Sequence, residues 1–442
     1  MKVKPEESIN FADVAHGIIT FEGGDPASRL ILELLDTPWV QRLRRIRQTG
    51  NTLLVYMFAE HSRFGHSLGV AYLAHKLMGH LKKYSPESVK KYELAVSAAA
   101  LLHDIGHVAP GSHLAERVWS KQNHHGDKAA HELLSNRVIL EDPEISGILK
   151  SYDPELPGLV SKILSGDSSL PPWTVQIISG GGWNADRGNW TIVDSAMCAV
   201  SYGRYNVFAL LDAFKLTTNG ELVIQESRLD ALTHFFVARD SMYRQVYQHR
   251  VLQAVDALRE NIVRRVIELN NSDLNNSDLN NSNSKAVFVD SVMQEALSSR
   301  NYHADLPLES LFKMTEPWWG YHLEQWCDSS DKTLSSLASS LRDRKLFKTI
   351  RLEEEDSELE AQARKIATEL GYDERYHVIK TSFADTHRSS LEELPQVELD
   401  SGKLKPISEV EPLIGELVAR SSKRRVWLAM PKEIKDRIGR VR

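Results

Sequence analysis

Ten of the chain's seventeen histidines fall between positions 61 and 131 of its 442 residues. Divalent cations bound through nitrogen and oxygen need imidazoles and carboxylates held on rigid elements. The segment LLHDIGH (101–107) sets His103 and Asp104 side by side at the end of an apolar stretch, with His107 about one helical turn further on. A lone histidine there would most often just satisfy local hydrogen bonds. A His-Asp pair inside a histidine cluster points instead to an ion. A cation held there polarises a phosphoryl oxygen and acidifies water, which is the chemistry of phosphate ester and anhydride hydrolysis.

Helices must position this cluster. Asp25-Pro26, Thr37-Pro38 and Ser85-Pro86 each put a capping side chain before a proline and predict three helix starts. Residues 67–83 read as amphipathic helix, and the Ala-rich stretch 92–102 as a helix able to pack closely. The first half therefore reads as all helical, up to 207–225, where β-rich runs flank Asn219-Gly220 and predict a hairpin with a type I′ turn. A proline-free pattern over 227–269 predicts one long helix or two. The Asn/Ser repeat 270–284 reads as a disordered loop. Residues 286–345 read as mostly helical. Beyond them, strand-like LFKTIRL and YHVIKTSF with a helix around 356–370 predict a small α+β appendage. The expected fold class is mainly α, a helical core with a β-hairpin insertion and an α+β C-terminal lobe. The expected domains are 1–285 and 286–442.

Composition narrows the function classes. Hydrophobic residues make up 42% and charged residues 26% of the chain, which excludes a disordered, collagenous or disulfide-built protein as a description of the whole. A net charge of −6 argues against a surface given over to nucleic acid. Cys198 and Cys327 are too few for a disulfide framework and suggest a reducing, cytoplasmic setting. Without an apolar leader in MKVKPEESINF or a run of about 20 apolar residues, no secretion or membrane span is expected. Residues 420–442 carry nine Lys/Arg against two acidic residues. That surplus suits the phosphates of a nucleotide effector or nucleic acid, or else a solvated basic edge strand and helix around RRVWLAM. The Trp318-Trp319 pair reads as core or subunit packing.

HSRFGHSLGVAYLAHKL (61–77), LLHDIGH (101–107) and ADRGNWTIVDS (185–195) resemble, in order and spacing, the HD-domain deoxynucleoside triphosphate triphosphohydrolases. DVAHGIITF, RLRRIRQTG, SYGRYN and HFFVARDSMYRQVYQHR extend the resemblance over about 11–269. It implies an HD-domain helical core whose ligands for a divalent ion such as Fe, Mn or Mg are His66, His103, Asp104 and Asp186. His107, His113 and either His124 or His125, with His125 favoured, match its acid/base and supporting histidines, and Glu116 would orient a neighbouring imidazole. Arg63 and Arg187 match phosphate-contacting positions, and Gln48 a base-reading amide. Trp190 stands for the tyrosine that packs on the sugar, and Asp194 is kept in the same motif.

Departures occur at Asn184, Asn189 and Trp190, at Gly65 where Glu is usual, and at Gly188. The family's later histidine belongs to a His-Glu segment, where NHHGDKAAH offers glycine or histidine at the Glu position. The implied activity is hydrolysis of a deoxynucleoside triphosphate to deoxynucleoside and triphosphate. Alternatives are another nucleotide or a nucleic acid end as substrate, and a catalytically silent nucleotide- or nucleic-acid-binding module. The resemblance further implies homo-oligomers built on helices such as 227–269.

Overall fold

In the computed structural model of the chain, the described residues are 4, 7–111, 118–119, 129–275, 287–353, 357–383, 394–419 and 425–441. His113, Glu116, His124 and His125 lie outside them.

The chain opens with a hairpin that the all-helical reading missed. Strands β1 (Ser8–Asp13) and β2 (Gly17–Glu22) pair antiparallel, closed by a turn at Gly17, whose φ is +75°. The alternation in GIITF buries Ile19 and Phe21 and leaves Ile18 exposed, a period-two signal. Three predicted helix starts then follow. Asp25 caps α1 (Pro26–Leu35), its carboxylate accepting from Ser28 N at 2.8 Å. Pro38 opens the short helix 38–42 and Pro86 opens α3 (Pro86–Leu102).

Between them runs α2 (Arg63–Leu81). Expected to be amphipathic, it is buried nearly all round, from Leu68 through Ala74 and again at Leu77, Met78 and Leu81. A helix apolar on all sides belongs at the centre of a bundle. The small side chains Ala95, Ala98, Ala99 and Ala100 of α3 are buried in the core that the two helices share.

Further helices enclose this pair: α4 (Ala130–Glu141), α5 (Leu156–Leu164) and α6 (Ala185–Met197). The 207–225 segment begins with a helical turn at Val207–Leu211, and its hairpin consists of β3 (Phe214–Leu216) and β4 (Leu222–Gln225). Its turn is not type I′. Gly220 alone takes positive φ (+76°), Gly220 N donates to Thr217 O, and Thr217 N donates to Glu221 O, both at 3.0 Å. That is the longer loop in which a type I turn is followed by a left-handed glycine.

The 227–269 helix is two: α7 (Leu229–Met242) and α8 (Arg250–Asn275), separated by a π-helical turn, Tyr243–Tyr247. The helix continues through Asn270–Asn275, the first residues of the Asn/Ser repeat, since extending a long helix costs far less than nucleating one. Leu252, Val255, Leu258, Ile262 and Val266 of α8 are buried in the chain's own core. These apolar positions are thus consumed internally, and the expectation of oligomers built on this segment rests on the resemblance.

Residues 291–342 are mostly helical and share the main hydrophobic core, including Trp319, Trp326 and Leu337. Arg42 ties them to the N-terminal helices. Its guanidinium is 2% exposed and donates to the carbonyls of His107 (2.7 Å), Phe312 (2.8 Å), Leu311 (3.0 Å) and Met314 (3.0 Å).

The C-terminal part adds strands to two sheets. β7 (Gln396–Glu398) pairs parallel with β4 and antiparallel with β8 (Leu404–Pro406), extending the hairpin into a sheet of order β3-β4-β7-β8. β9 (Arg425–Met430) lies between β5 (Lys348–Leu352) and β6 (Ile379–Phe383). It is therefore the central strand of its sheet, not the edge strand that its basic residues suggested; VWLAM supplies the apolar residues that such a position demands. Helices 357–369 and 432–441 cover this sheet in a second core formed by Leu359, Ile366, Leu428, Met430, Ile434 and Ile438.

Candidate active site

Three elements deliver the acidic and imidazole groups to one place. His66 lies in the first turn of α2, His103 and Asp104 at the C-terminal end of α3, and Asp186 in the first turn of α6. The position of Asp186 depends on Asn184, one of the departures from the family motif. Its side chain caps α6 by accepting from Arg187 N at 2.8 Å and donates to Gly180 O at 2.8 Å.

His66 Nε2 is 3.0 Å from Asp186 Oδ1 and 3.6 Å from Asp104 Oδ2. His103 Nε2 is 3.5 Å from Asp104 Oδ1 and 3.7 Å from Asp186 Oδ1. The ligand atoms of His66, His103 and Asp186 all lie within 4.8 Å of one another. His103 Nδ1 sits 2.9 Å from Ala100 O, to which it donates, while its Nε2 is buried with no hydrogen-bond partner. A backbone-anchored N–H that leaves the other ring nitrogen unpartnered is the usual state of a metal-ligating imidazole. Two imidazoles and two carboxylates suit a divalent first-row ion or magnesium. The residues present therefore fit a cation.

Electrostatics agree. Burial pulls the His103 imidazole down, but Asp104 and Asp186 outweigh burial and hold it up at about 9. Burial pushes the Asp104 carboxyl up, and the charges of Arg63 and His103 with the neighbouring His107 imidazole overcome it and keep it well below the ordinary value. Asp186 is likewise held below its ordinary value against burial, by the His103 and His66 imidazoles beside it. Both carboxylates stay ionised, and a cation would take the place of the proton that they hold on His103.

A cavity of about 300 Å³ opens beside the cluster. Asp104, Asp186, Arg63, His107 and His131 line one part of it. Arg63 donates from Nη1 to Asp104 Oδ2, and its buried Nε has no partner. His107 Nε2 is 3.3 Å from Asp104 Oδ1, and its ring stacks on His131 with centroids 4.0 Å apart. Burial, then the nearby Arg63 and His131, hold His107 well below the ordinary imidazole value, so it is neutral at pH 7. His131 had no role in the sequence analysis. Its own neighbour Glu132 makes it a His-Glu pair, the signal that was sought at 124–125.

Trp190 packs edge-on against Tyr243 and Tyr247 at 5.6 and 5.4 Å, and all three line the cavity. Asp194 joins them, 2.7 Å from His61 Nε2 and accepting from the Tyr247 hydroxyl at 2.5 Å. Gln48 lines the cavity too, with its Oε1 buried and unpartnered, beside Asn51, whose amide donates to Asp256 Oδ1 at 2.6 Å. Arg187 is placed differently: its guanidinium donates to the carbonyls of Gly180 (3.1 Å) and Gly182 (3.3 Å), and it is not among the lining residues. Gly188 answers to packing. A Cβ there would come within 2.5 Å of the Trp183 indole, which donates to Tyr205 while Tyr205 donates to Gly188 O.

A second cavity, about 250 Å³, is lined by Val55, His249, Arg250, Val251, Arg344, Leu346, Phe347, Lys348, Thr349 and Lys435. Four of these are permanent cations and none is acidic. Lys435 comes from the basic tail, and its Nζ donates to Thr349 O at 3.2 Å.

Residues 63–150 match the HD domain and residues 209–318 the HD-associated region. The protein YwfO of Bacillus subtilis is 29% identical over 416 residues, covering 92% of this chain and 89% of its own length. The deoxynucleoside triphosphate triphosphohydrolase SAMHD1 of Danio rerio is 39% identical over 140 residues, 31% of this chain and 21% of that protein. The SAMHD1 of Gallus gallus is 36% identical over 147 residues, 32% and 23% of the two chains. This chain thus spans less than a quarter of those two triphosphohydrolases. A crystal structure of a phosphohydrolase from Bacteroides thetaiotaomicron has the same fold, with a TM-score of 0.79 at 23% identity over 96% of this chain and all of that one. A hypothetical protein from Aquifex aeolicus follows with a TM-score of 0.68 at 24% identity, over 98% of each chain.

Proposed function

We propose that this chain, a member of the HD-domain family, hydrolyses deoxynucleoside triphosphates to deoxynucleoside and inorganic triphosphate. The observation that carries the reading is the convergence of His66, His103 and Asp186, with Asp104 3.6 Å from His66 and 3.5 Å from His103, beside a cavity that also holds Arg63, two stacked histidines and an aromatic wall. Similarity to enzymes named for that reaction supports it. In the reaction water attacks the α-phosphorus, the bond to the 5′ oxygen breaks, and triphosphate leaves the deoxynucleoside.

His66, His103, Asp104 and Asp186 are the ligands we assign to a divalent cation, which supplies Lewis acidity toward a phosphoryl oxygen and water. Arg63 presents its unpartnered Nε, a charge-assisted donor, to a phosphate oxygen. Stacking at 4.0 Å makes it costly for His107 and His131 to be protonated together, and His107 is the one held neutral. We therefore assign His131 as the proton donor to the leaving 5′ oxygen and His107 as the neutral partner that hydrogen-bonds Asp104. Trp190, Tyr243 and Tyr247 suit stacking against sugar and base. Gln48 and Asn51 offer amides for a base edge. The second cavity is where an effector's phosphates would meet the basic tail, through Lys435 with Arg250, Arg344 and Lys348.

No helix among the described residues is long and apolar enough to cross a membrane. Oligomers and a cytoplasmic setting remain part of the proposal.

Product analysis tests the reaction. Each of the four dNTPs is digested with the metal-loaded protein and the products are separated by ion chromatography. Deoxynucleoside and triphosphate in equal amounts are expected. Orthophosphate or pyrophosphate as the first product would redirect the reading to another phosphohydrolase.

A further inference from the structure

Asn189 lies fully buried between two histidines that belong to different parts of the fold. Its Nδ2 donates to His66 Nδ1 at 2.9 Å and to the His66 carbonyl at 3.2 Å. Its Oδ1 is 2.9 Å from Nε2 of His16, in the turn between β1 and β2. That turn is fixed, because Asp13 accepts from His16 N at 2.7 Å and the His16 ring packs on Tyr72 at 5.6 Å. The slot is shaped for the carboxamide: a Cβ on Gly69 of α2 would lie 2.2 Å from Asn189 Oδ1.

The polarity of this chain of bonds decides where the His66 proton sits. A neutral imidazole has one N–H and one lone pair. With the amide nitrogen donating to Nδ1, the proton is on Nε2, where it reaches Asp186 Oδ1 at 3.0 Å. Nε2 is also the atom that faces the carboxylates, so in this arrangement the ligand nitrogen is capped by its own proton. Coordination through Nε2 needs the reverse, an N–H at Nδ1 with an acceptor in front of it. A half-turn of the carboxamide supplies that acceptor, since its oxygen and NH2 ends are nearly equal in size. Oδ1 then faces Nδ1–H, Nδ2 donates to His16 Nε2, and the His16 proton sits on Nδ1. The bond to the His66 carbonyl is given up.

We infer that Asn189 and His16 are positioning residues that set which nitrogen of His66 is open to a divalent cation, through the direction of the His16–Asn189–His66 hydrogen bonds. The inference rests on the metal site proposed above. Asparagine at 189 permits both directions; an aspartate would permit only the one that suits the cation.

The test uses the full chain, stripped of metal, with Mn2+ as the probe in competition with a chromophoric chelator, and 15N chemical shifts to identify the His66 tautomer. The metal-free parent is expected to hold the proton on Nε2. Asn189→Asp, which can only accept, moves it to Nδ1 and binds Mn2+ about tenfold more tightly. His16→Glu, an acceptor toward Asn189, tightens binding, and His16→Lys, a donor, weakens it. The same charges at exposed Val14 (Val14→Glu, Val14→Lys) shift affinity much less.

If Asn189→Asp does not fold, the His16 pair decides alone. Shifts of one sign for both His16 variants, equal shifts at Val14, or an unchanged tautomer in a folded Asn189→Asp overturn the inference while the metal site stands. Failure of the parent to bind Mn2+ or any other divalent ion removes the metal reading itself.

Discussion

Replacing Arg42 by methionine keeps an apolar stem of similar reach against Trp39 and deletes the donor of four hydrogen bonds. Burial and the like charge of Arg45 bring the guanidinium down to about 9, so it remains protonated at neutral pH. Hydrogen bonds to a charged group contribute roughly 1.5–3 kcal/mol each. The charge itself costs several kcal/mol to bury, so the four do not simply add. Removing the cation also relieves that cost but takes a donor from the carbonyls of His107, Leu311, Phe312 and Met314, of which Leu311 O still accepts from Met314 N and Met314 O from Ala109 N. A net loss of about 3–5 kcal/mol follows, the range for breaking one side of a buried polar network.

At roughly 2.1 cal/mol/K of unfolding entropy per residue, 442 residues give about 0.9 kcal/mol/K, so the melting temperature falls by about 3–5 °C. Differential scanning calorimetry at fixed metal concentration reads this, checked against tryptophan fluorescence for a single transition. Arg42→Lys keeps the charge but has a shorter reach and no fork, and should fall between parent and methionine variant. A shift below 1 °C for both variants would refute the claim that Arg42 fastens residues 311–314 to the helices that carry the site.

Changing His103 and Asp104 together to alanine removes two of the four assigned ligands and should abolish bound metal by elemental analysis; full occupancy would sink the assignment. His131→Ala should lower kcat for dNTP hydrolysis by about 10²–10⁴ with metal content unchanged, and undiminished turnover would return the acid role to another group. Gly188→Ala drives a methyl into the Trp183 indole, and a loss of about 1–3 kcal/mol is expected from thermal melts; an unchanged melt would contradict the packing. His322 is buried neutral, its Nδ1–H 2.9 Å from Trp318 O and its Nε2 accepting from Asp290 N at 3.3 Å, and burial lowers it from 6.5. The unfolded chain takes up that proton and the fold does not, so its contribution is complete above pH 6.5 and lost as pH falls below. His322→Gln should flatten that limb of the stability curve, and an unaltered slope measured by denaturant titration would count against the neutral state.

Local rules reached much of the helical scaffold. Proline after Asp25, Thr37 and Ser85 marks three helix starts because the missing N–H costs nothing there and φ is already helical. At Thr37 and Ser85 no side-chain cap bond forms, so proline alone carries the signal. The N-terminal hairpin escaped because its strands are six residues each and half exposed, short enough to be overruled by the strong helix signal beginning at Pro26. The burial of α2 on all sides escaped for a different reason. Polar Arg63, His66 and Ser67 share one helix face, so the pattern reads as one wet face although all three are buried.

The cluster His66, His103, Asp104 and Asp186 comes together from three helices separated by up to 120 positions, and only motif order and spacing could link them. His131 needed one more step, which the residues around it do carry. Gly106 in HDIGH must be bare because a Cβ there would lie 2.3 Å from His131 O, which puts the start of α4 hard against the turn that follows the His-Asp pair. Ser135, one helical turn after His131, then bridges that turn, accepting from Gly106 N at 3.0 Å and donating to His103 O at 2.8 Å. A histidine and a serine four apart share one helix face, so once Ser135 is locked onto His103, His131 has to meet His107. The glycine that completes HDIGH and the pattern HELLS at 131–135 are two halves of one contact, and that contact brings a second imidazole to the cavity.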